Sequence, residues 1–120
     1  MSASSVVVLA CKAAEGVSAE QRDALCEALE EVLREELVQA SPPRDLRRGE
    51  PVSEAEAESS VTLTMIEASP HYMSAQLIWR DGARSGSGGP LSSIVVDGKL
   101  TRPWYLSLSR NLLKISGFQL

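Results

Sequence analysis

Aromatic side chains are scarce in this sequence and make up 4% of its 120 residues. The whole set is Trp79, Trp104, Tyr72, Tyr105 and Phe118. Aromatic rings normally supply much of the buried area of a core, so a chain this poor in them must build its core from aliphatic residues. The length lies within the usual range for one domain, on the order of 100–150 residues, and we therefore expect one aliphatic core.

Long apolar runs are also missing. No apolar stretch approaches the roughly 20 residues that a membrane-spanning helix needs, so we expect no integral membrane segment. Val8-Leu9-Ala10-Cys11 loosely resembles a bacterial lipoprotein cleavage site, but no basic residue precedes it and the apolar run is shorter than a signal core of about 7–15 residues. As written, the sequence is expected to be cytoplasmic; a periplasmic protein would need a leader upstream of it.

A basic field, typical of nucleic-acid binding, is weak in this chain. The net charge is −4, and residues 1–58 hold 13 acidic and 6 basic residues, whereas residues 59–120 hold 3 acidic and 6 basic residues. Opposite net charges in the two halves of one domain indicate that the halves complement each other in charge, or that an acidic helix faces water. We therefore expect no nucleic-acid partner.

Cysteine and histidine are too few for most catalytic and metal centres. Cys11, Cys26 and the single histidine, His71, lack the paired spacing of a zinc site. Helix and sheet layers pack about 10 Å apart, whereas a disulfide needs Cα atoms roughly 4.4–6.8 Å apart, so the cysteines are expected to be two small buried thiols. No nucleophile motif accompanies His71. We expect no catalytic residue, no cofactor and no metal, and the sequence leans away from an enzyme.

The stretch 5–40 carries the clearest pattern, a strand followed by a long helix. Residues 5–11 form a short continuous apolar run, which predicts a strand buried on both faces. Ser18 and Gln21 have the spacing of a capping box and predict the start of the helix. Its apolar stripe consists of Leu25, Leu29, Val32, Leu33, Leu37 and Val38. Glutamates fill the opposite side, which indicates a solvated face, and Pro42-Pro43 ends the helix.

The middle of the chain predicts a linker and three strands. Residues at about 41–59 are polar and contain three prolines, which is typical of a linker. Residues 61–65 and 75–79 alternate and predict an antiparallel hairpin, and residues 91–96 predict a further strand. The Gly-rich stretch 82–89 leads into a proline and a strand rather than a helix, so it predicts a mobile hairpin loop and not a phosphate cradle.

The closing segment predicts a second amphipathic helix. Pro103 suits the first turn, and Gly117 suits the left-handed position after the last turn. The apolar stripe of this helix consists of Tyr105, Leu108, Leu112 and Ile115. We therefore predict an α+β fold in one domain, residues 1–120. It is a two-layer sandwich in which a four-stranded mixed sheet carries two helices on one face, in the order β-α-β-β-β-α.

The sheet face away from the helices is the first candidate site. It is predicted to carry a mixed apolar and hydroxyl surface made of Thr62, Thr64, Ile66, Gln76 and Ile78. Either the linker or another chain must cover such a surface. Trp104 lies off the main stripe of the last helix, where it serves either as an exposed interface anchor or as a cap on the core edge.

A second candidate site is cationic. Arg80 and Arg84 flank the Gly-rich stretch, and together with His71 they suggest a binding site for an anionic ligand or substrate. A single histidine in a turn is more often an ordinary surface residue. This site is the alternative to the protein-binding face.

Three segments resemble the TolB amino-terminal and LpoB-like envelope domains of Gram-negative bacteria. They are the opening strand Ser5-Val6-Val7-Val8-Leu9, the helix Asp23-Ala24-Leu25-Cys26-Glu27-Ala28-Leu29-Glu30-Glu31-Val32-Leu33, and the later strand and turn Ser74-Ala75-Gln76-Leu77-Ile78-Trp79-Arg80-Asp81-Gly82. The resemblance implies a domain of the bacterial cell envelope that binds partner proteins without catalysis.

Three functions are therefore predicted, and the protein-binding one leads. The main hypothesis is a non-enzymatic protein-binding or adaptor domain, because one sheet face lacks a cover and no catalytic set is present. The alternatives are a small enzyme or binding protein for an anionic ligand, and a homo-oligomeric structural protein that associates through the open sheet face or its edge strands.

Overall fold

The computed structural model describes residues 6–40, 43–49, 59–69, 71–94 and 101–118. Their elements are β1 (Val6–Ala13), α1 (Ala19–Gln39), β2 (Asp45–Arg48), β3 (Ser59–Ser69), β4 (Tyr72–Asp81), β5 (Arg84–Ile94) and α2 (Arg102–Ser116). The strands form one open sheet in the order β2-β1-β3-β4-β5. β1 is parallel to β2 and β3, whereas β4 is antiparallel to β3 and β5.

The predicted α+β class and the mixed sheet are confirmed, but the sheet has five strands rather than four. The extra strand is β2, which lies inside the predicted linker. Three of its four residues are charged, and only Leu46 packs against the core. Backbone pairing with β1 holds it, and the Gly49 N–H adds a bond of 2.9 Å to the Leu9 carbonyl. An edge strand needs few apolar residues, which is why the pattern did not reveal it. Residues 50–58 of the predicted linker and residues 95–96 of the predicted strand 91–96 lie outside the described residues.

One aliphatic core lies between the two helices and one sheet face. Ser18 Oγ accepts the Gln21 backbone N–H at 3.1 Å, so the predicted helix start is confirmed. The Gln21 side chain also donates to the Ser69 carbonyl at 2.8 Å, which ties the start of α1 to the end of β3. Val38 and Ile115 were predicted in the apolar stripes, yet both are exposed. Val38 follows Leu37 by about 100° around the helix, which turns its side chain to solvent.

Cys11 and Cys26 form a disulfide, so the prediction of two free thiols was wrong. Their Cα atoms lie 6.1 Å apart, and Cys26 is buried. The spacing of about 10 Å between helix and sheet layers separates the sheet from the helix axis, not from the nearest Cα atoms of the helix. A Cα on the sheet-facing side of a helix lies about 2.3 Å closer to the sheet than the axis. The disulfide therefore joins the middle of α1 to the end of β1.

Residues 84–89 of the Gly-rich stretch belong to strand β5 and only Gly82 and Ala83 form a turn, so the prediction of a mobile hairpin loop over 82–89 was wrong. A Cβ on Gly86 would lie 2.8 Å from the Trp79 indole, and a Cβ on Gly88 would lie 2.5 Å from the Ser116 nitrogen. Trp79 Nε1–H donates to the Ser116 carbonyl at 2.7 Å. The glycines thus let a buried indole and the end of α2 approach the strand closely. Gly117 follows in the predicted left-handed conformation, at φ 73°.

Replacing Gly88 with Ala tests this close approach. We expect the free energy of unfolding to fall by about 1–3 kcal/mol, because the added methyl group meets the backbone of α2 rather than a flexible side chain. Urea denaturation measures the loss. The neighbouring exposed Ser87→Ala should change stability by less than about 0.5 kcal/mol. Equal stability of the two variants would contradict the close packing of α2 on β5.

Removing the disulfide in a Cys11→Ala, Cys26→Ala double variant tests the covalent link. The bond closes a separation of 15 residues, and a loop of this size stabilises a fold by about 3 kcal/mol. Urea denaturation of the wild type should show a loss of this size on addition of dithiothreitol, and the double variant should not respond to the reductant. A wild type that is equally stable with and without reductant would refute the link.

Candidate functional site

The cationic residues do not converge on one site. Arg80 lies opposite Ser60 in the sheet register, on the face away from the helices, whereas Arg84 lies 5.8 Å over the Trp79 ring on the helix-covered face. His71 is in the turn before β4, while both arginines are at the far end of that strand. Ten residues of strand span roughly 30 Å, so the histidine and the arginines occupy opposite ends of the hairpin.

The outer sheet face does bring its predicted residues together. Thr62 lies opposite Ile78, and Thr64 lies opposite Gln76. Ile66 occupies the register shift between Met65 and Glu67, so it has no cross-strand partner in the ladder. Ile78 and Ile66 are 43% and 40% exposed, while Thr62 is buried within the sheet. Two exposed isoleucines therefore flank a polar centre on this face.

Trp104 is half-buried rather than fully exposed. Its ring packs edge-on against Tyr105 with a centroid distance of 5.3 Å, and it contacts the edge of the core. It also lines a small hollow of about 100 Å³ between α2 and β5, together with Leu91 and Asn111. The indole therefore covers the core edge at the β5 side of the molecule and keeps part of its surface available.

A nearly buried ion pair is the strongest polar feature among the described residues. Arg44, just before β2, makes two hydrogen bonds to the Asp81 carboxylate, at 3.1 and 3.3 Å. It also donates to Ser59 Oγ at 2.7 Å, and Ser59 Oγ–H donates to Asp81 at 2.5 Å. The Arg44 N–H meanwhile donates to the Leu37 carbonyl of α1 at 3.0 Å. This clasp joins β2, β3, β4 and the end of α1 at one end of the sheet.

The clasp has a structural role, because its polar groups bind one another. Burial acts to raise the pKa of Asp81, but the hydrogen bonds from Ser59 and Arg44 and the positive charges of Arg44 and Arg84 outweigh it, so the pKa lies below its ordinary value of 3.8. The carboxylate is therefore charged at neutral pH, and both of its oxygens accept hydrogen bonds from Arg44 or Ser59. Burial, with the charge of Glu20 as the smaller cause, raises the pKa of Tyr105 in the core. Sequence reasoning missed the clasp because its members are separated by 15 and 37 positions along the chain.

The two ends of the sheet differ, and the sequence did not reveal this. α1 packs against β1 and β2, whereas α2 packs against β4 and β5. At the α1/β2 end, Val38 is 63% exposed beside a groove of about 390 Å³ that also contains Val6 and Leu46. At the α2/β5 end, Ile115 and Ile94 are 47% and 67% exposed. Exposed apolar side chains thus lie at both ends of an open sheet.

Comparison with known proteins finds likenesses in structure. No protein-family model and no curated protein matches the sequence. A point variant of the PelC dodecamer from Paraburkholderia phytofirmans has a TM-score of 0.58 and 13% identity, covering 97% of this chain and 90% of that chain. Another PelC dodecamer structure from the same organism has a TM-score of 0.57 and 14% identity, covering 92% and 86%. The likeness shows a shared fold.

Two further findings concern the described part of the chain. None of its helices is long and apolar enough to cross a membrane. Within the same residues, no group of three or more His, Cys, Asp or Glu side chains is arranged so that it could hold a metal ion.

An Asp81→Asn variant tests the clasp. We expect a loss of about 3 kcal/mol at neutral pH, because Arg44 keeps its burial but loses its counterion. The native pKa is lowered, so the wild-type contribution of Asp81 is fully present above its ordinary pKa of 3.8 and disappears as the pH falls below that value. Urea denaturation at neutral and at acid pH should therefore show that the variant lacks this part of the acid sensitivity.

The exposed pair of Arg22 and Asp23 is the matched control. Asp23→Asn should alter stability by less than about 0.5 kcal/mol, because both partners face water. If Asp81→Asn were as mild as Asp23→Asn, the clasp would not be a determinant of the fold.

Proposed function

We propose that this chain is a non-enzymatic subunit of a homo-oligomer, so that its principal protein partner is another copy of itself. The observation that carries the proposal is the pairing of an open sheet with exposed isoleucine and valine side chains at both of its ends. Open sheet edges and exposed apolar residues are typical of surfaces that another chain covers. The likeness to PelC dodecamers, which share the fold, supports the same choice among the alternatives.

The polar residues favour a structural protein over an enzyme. The one carboxylate with a lowered pKa, among the described residues, is Asp81, and its partners explain that shift without any substrate. His71 and the arginines of the anionic-ligand alternative lie at opposite ends of the β4 strand. A catalytic or anion-binding site needs such groups within reach of one ligand. The placement of these residues therefore gives that alternative no support.

A second candidate function is binding of a different protein through the outer sheet face. Ile66 and Ile78 are exposed there beside Thr64 and Gln76, which are half-buried. This surface lies away from both helices, so an oligomer built through the ends of the sheet leaves its two exposed isoleucines accessible. The chain would then act as a multivalent adaptor, in agreement with the main sequence-based hypothesis.

The disulfide bears on the compartment. Structural disulfides form and persist in oxidising compartments and are rare in the cytosol, so the Cys11–Cys26 bond favours the periplasmic alternative over the cytoplasmic one. A periplasmic protein also fits the envelope role that the resemblance to TolB and LpoB-like domains implies. The compartment and that resemblance both stay predictions.

Size-exclusion chromatography with light scattering on the wild type tests self-association. We expect a mass several times that of the 12.9 kDa chain, with dissociation on dilution. The Ile78→Asp variant is the matched control. Ile78 is about as exposed as Ile115 but lies on the outer face, so its replacement should not change the mass. A wild type that remains monomeric over a wide concentration range would rule out the proposed homo-oligomer.

A further inference from the structure

We infer that two copies of this chain join through their β5 strands, which pair antiparallel across a two-fold axis and continue the sheet from one copy into the other. The inference rests on the proposed homo-oligomer and names one of its interfaces. It follows from the difference between the two edge strands, from the direction of the β5 backbone groups, and from the uncharged side of α2 that borders β5.

The two edge strands differ in how well they are protected against pairing. Among the described residues, β2 and β5 are the outer strands of the sheet. β2 has four residues, of which three are charged, whereas β5 has eleven residues, of which only Arg84 is charged. Short length and charged side chains keep other chains from pairing with an edge strand, and a longer uncharged edge invites it. β5 is therefore the edge that another strand can join.

The hairpin determines which β5 backbone groups point to the open edge. β4 and β5 are joined by a two-residue turn at 82–83, whose first residue has φ 65°. Such a turn closes on a hydrogen-bonded pair, here Asp81 and Arg84, and bonded and non-bonded pairs alternate along the ladder from there. Ser85 and Ser87 are thus non-bonded positions. Their N–H and C=O groups point away from β4.

These groups are self-complementary in an antiparallel register centred on Gly86. Ser85 of one copy then lies opposite Ser87 of the other, and the two residues exchange both backbone hydrogen bonds. Arg84 lies opposite Gly88 of the second copy. The two arginines are therefore at opposite ends of the ladder, roughly 14 Å apart along it, and do not face each other.

The ladder between the copies is short. Pro90 has no backbone N–H, and the pairing of β5 with β4 shifts its register between Gly88 and Leu91, so the new pairing covers residues 84–88 of each copy. Five residues from each strand give a small interface, and small interfaces are weak. The rest of the contact comes from α2, which lies over this part of β5.

The side of α2 that borders β5 is uncharged. Trp104, Ser107 and Asn111 line the hollow that α2 shares with β5. Ile115 follows Asn111 by four positions, so it lies on the same side of the helix, and it is 47% exposed. An interface core is typically depleted of charge and rich in large apolar and aromatic side chains. The α2 side of this edge has that composition.

The basic residues of α2 are directed toward α1 instead. Arg102 pairs with Glu31, and Arg110 and Lys114 line the groove between the two helices. In a two-fold dimer the same surface of both copies meets, so a basic edge would be repelled by its own copy. Since Arg84 is the one charged residue of β5, the two edges meet without this cost.

Ile115 supplies an apolar contact beside the paired strands. A Cβ on Gly88 would lie 2.8 Å from the Ile115 carbonyl carbon, so the end of α2 lies over that strand position. In the proposed register Gly88 faces Arg84 of the second copy, whose guanidinium lies over the Trp79 ring of that copy. The alkyl part of an arginine side chain packs well against apolar groups, so Ile115 loses exposed surface to it.

Ser85→Cys and Ser87→Cys variants, alone and mixed in equal amounts, test the register. Both native cysteines are in the disulfide, so each variant has one free thiol. Directly opposed residues of a bonded pair have Cα atoms about 5.5 Å apart, which suits a disulfide, whereas diagonal neighbours are about 7–8 Å apart. With oxidised glutathione as the oxidant, the mixture should form a disulfide-linked heterodimer severalfold faster than either variant alone forms a homodimer.

Ser87→Pro tests the backbone hydrogen bonds. It removes an N–H that points to the open edge, so the ladder with β4 and the circular dichroism of the chain should be unchanged. Light scattering should show that the β5-linked dimer is lost, whereas the matched Ser87→Ala variant keeps the N–H and should assemble like the wild type. If Ser87→Pro does not fold, the cysteine variants decide the question.

Ile115→Lys tests the contact from α2. It brings a positive charge next to Arg84 of the second copy, so the mass at a given concentration should fall toward that of the monomer. Val38→Lys adds the same charge at an exposed position of the other end of the sheet, and it should leave the linking of the cysteine mixture unchanged. Equal losses from both substitutions would contradict the place of α2 in the interface.

The other outcomes separate this inference from the proposed function. If the wild type assembles but the cysteine mixture gives no linked heterodimer, the β5 strands do not pair, and the inference is wrong while the homo-oligomer stands. Single variants that link as fast as the mixture, or a Ser87→Pro variant that assembles as well as Ser87→Ala, lead to the same conclusion. A wild type that is monomeric refutes the homo-oligomer and this inference together.

Discussion

The two helices share one face of an open sheet, one at each end, and this constraint determines most of what the molecule can do. It places the aliphatic core on one side, and both helices of the described residues lie on that side of the sheet. It also places the acidic helix α1 beside the basic helix α2, where Arg102 pairs with Glu31. In the described part of the chain, the available surfaces are the two ends of the sheet, its outer face and a groove of about 530 Å³ between the helices, lined by Val32, Glu36, Arg110 and Lys114 among others.

The polar and covalent links hold this arrangement at separate places. The Arg44 clasp joins β2, β3, β4 and the end of α1, while the Cys11–Cys26 bond joins the end of β1 to the middle of α1. On the other side, the hydrogen bond from Trp79 to Ser116 fixes the end of α2 over β5. Both helices are thus linked to the sheet by specific contacts as well as by the core.

The sequence predicted the fold class and the two helices because those features depend on local patterns. The cap at Ser18 and the left-handed Gly117 are signals within a few residues. The remaining features depend on distant pairs. Strand β2 exists through its pairing with β1, Gly88 is needed because α2 returns over it, and Asp81 matters because Arg44 lies beside it. A single sequence does not show which distant residues meet.

The same limit applies to the candidate site. The outer face was predictable, because alternation in two neighbouring strands places Thr62 and Ile78 on one side. The exposed Val38 and Ile115 were assigned to the core, since a helical stripe fixes a direction only to within one residue at its margins. These residues mark the ends of the sandwich, which became visible only once the order of the strands was known.

Carbodiimide cross-linking of an equal mixture of isotope-labelled and unlabelled copies tests the central claim most directly. Links between one labelled and one unlabelled peptide can arise only between different copies. Self-association predicts that such mixed links appear in the sample that assembles. A sample that yields links only within one copy would contradict it.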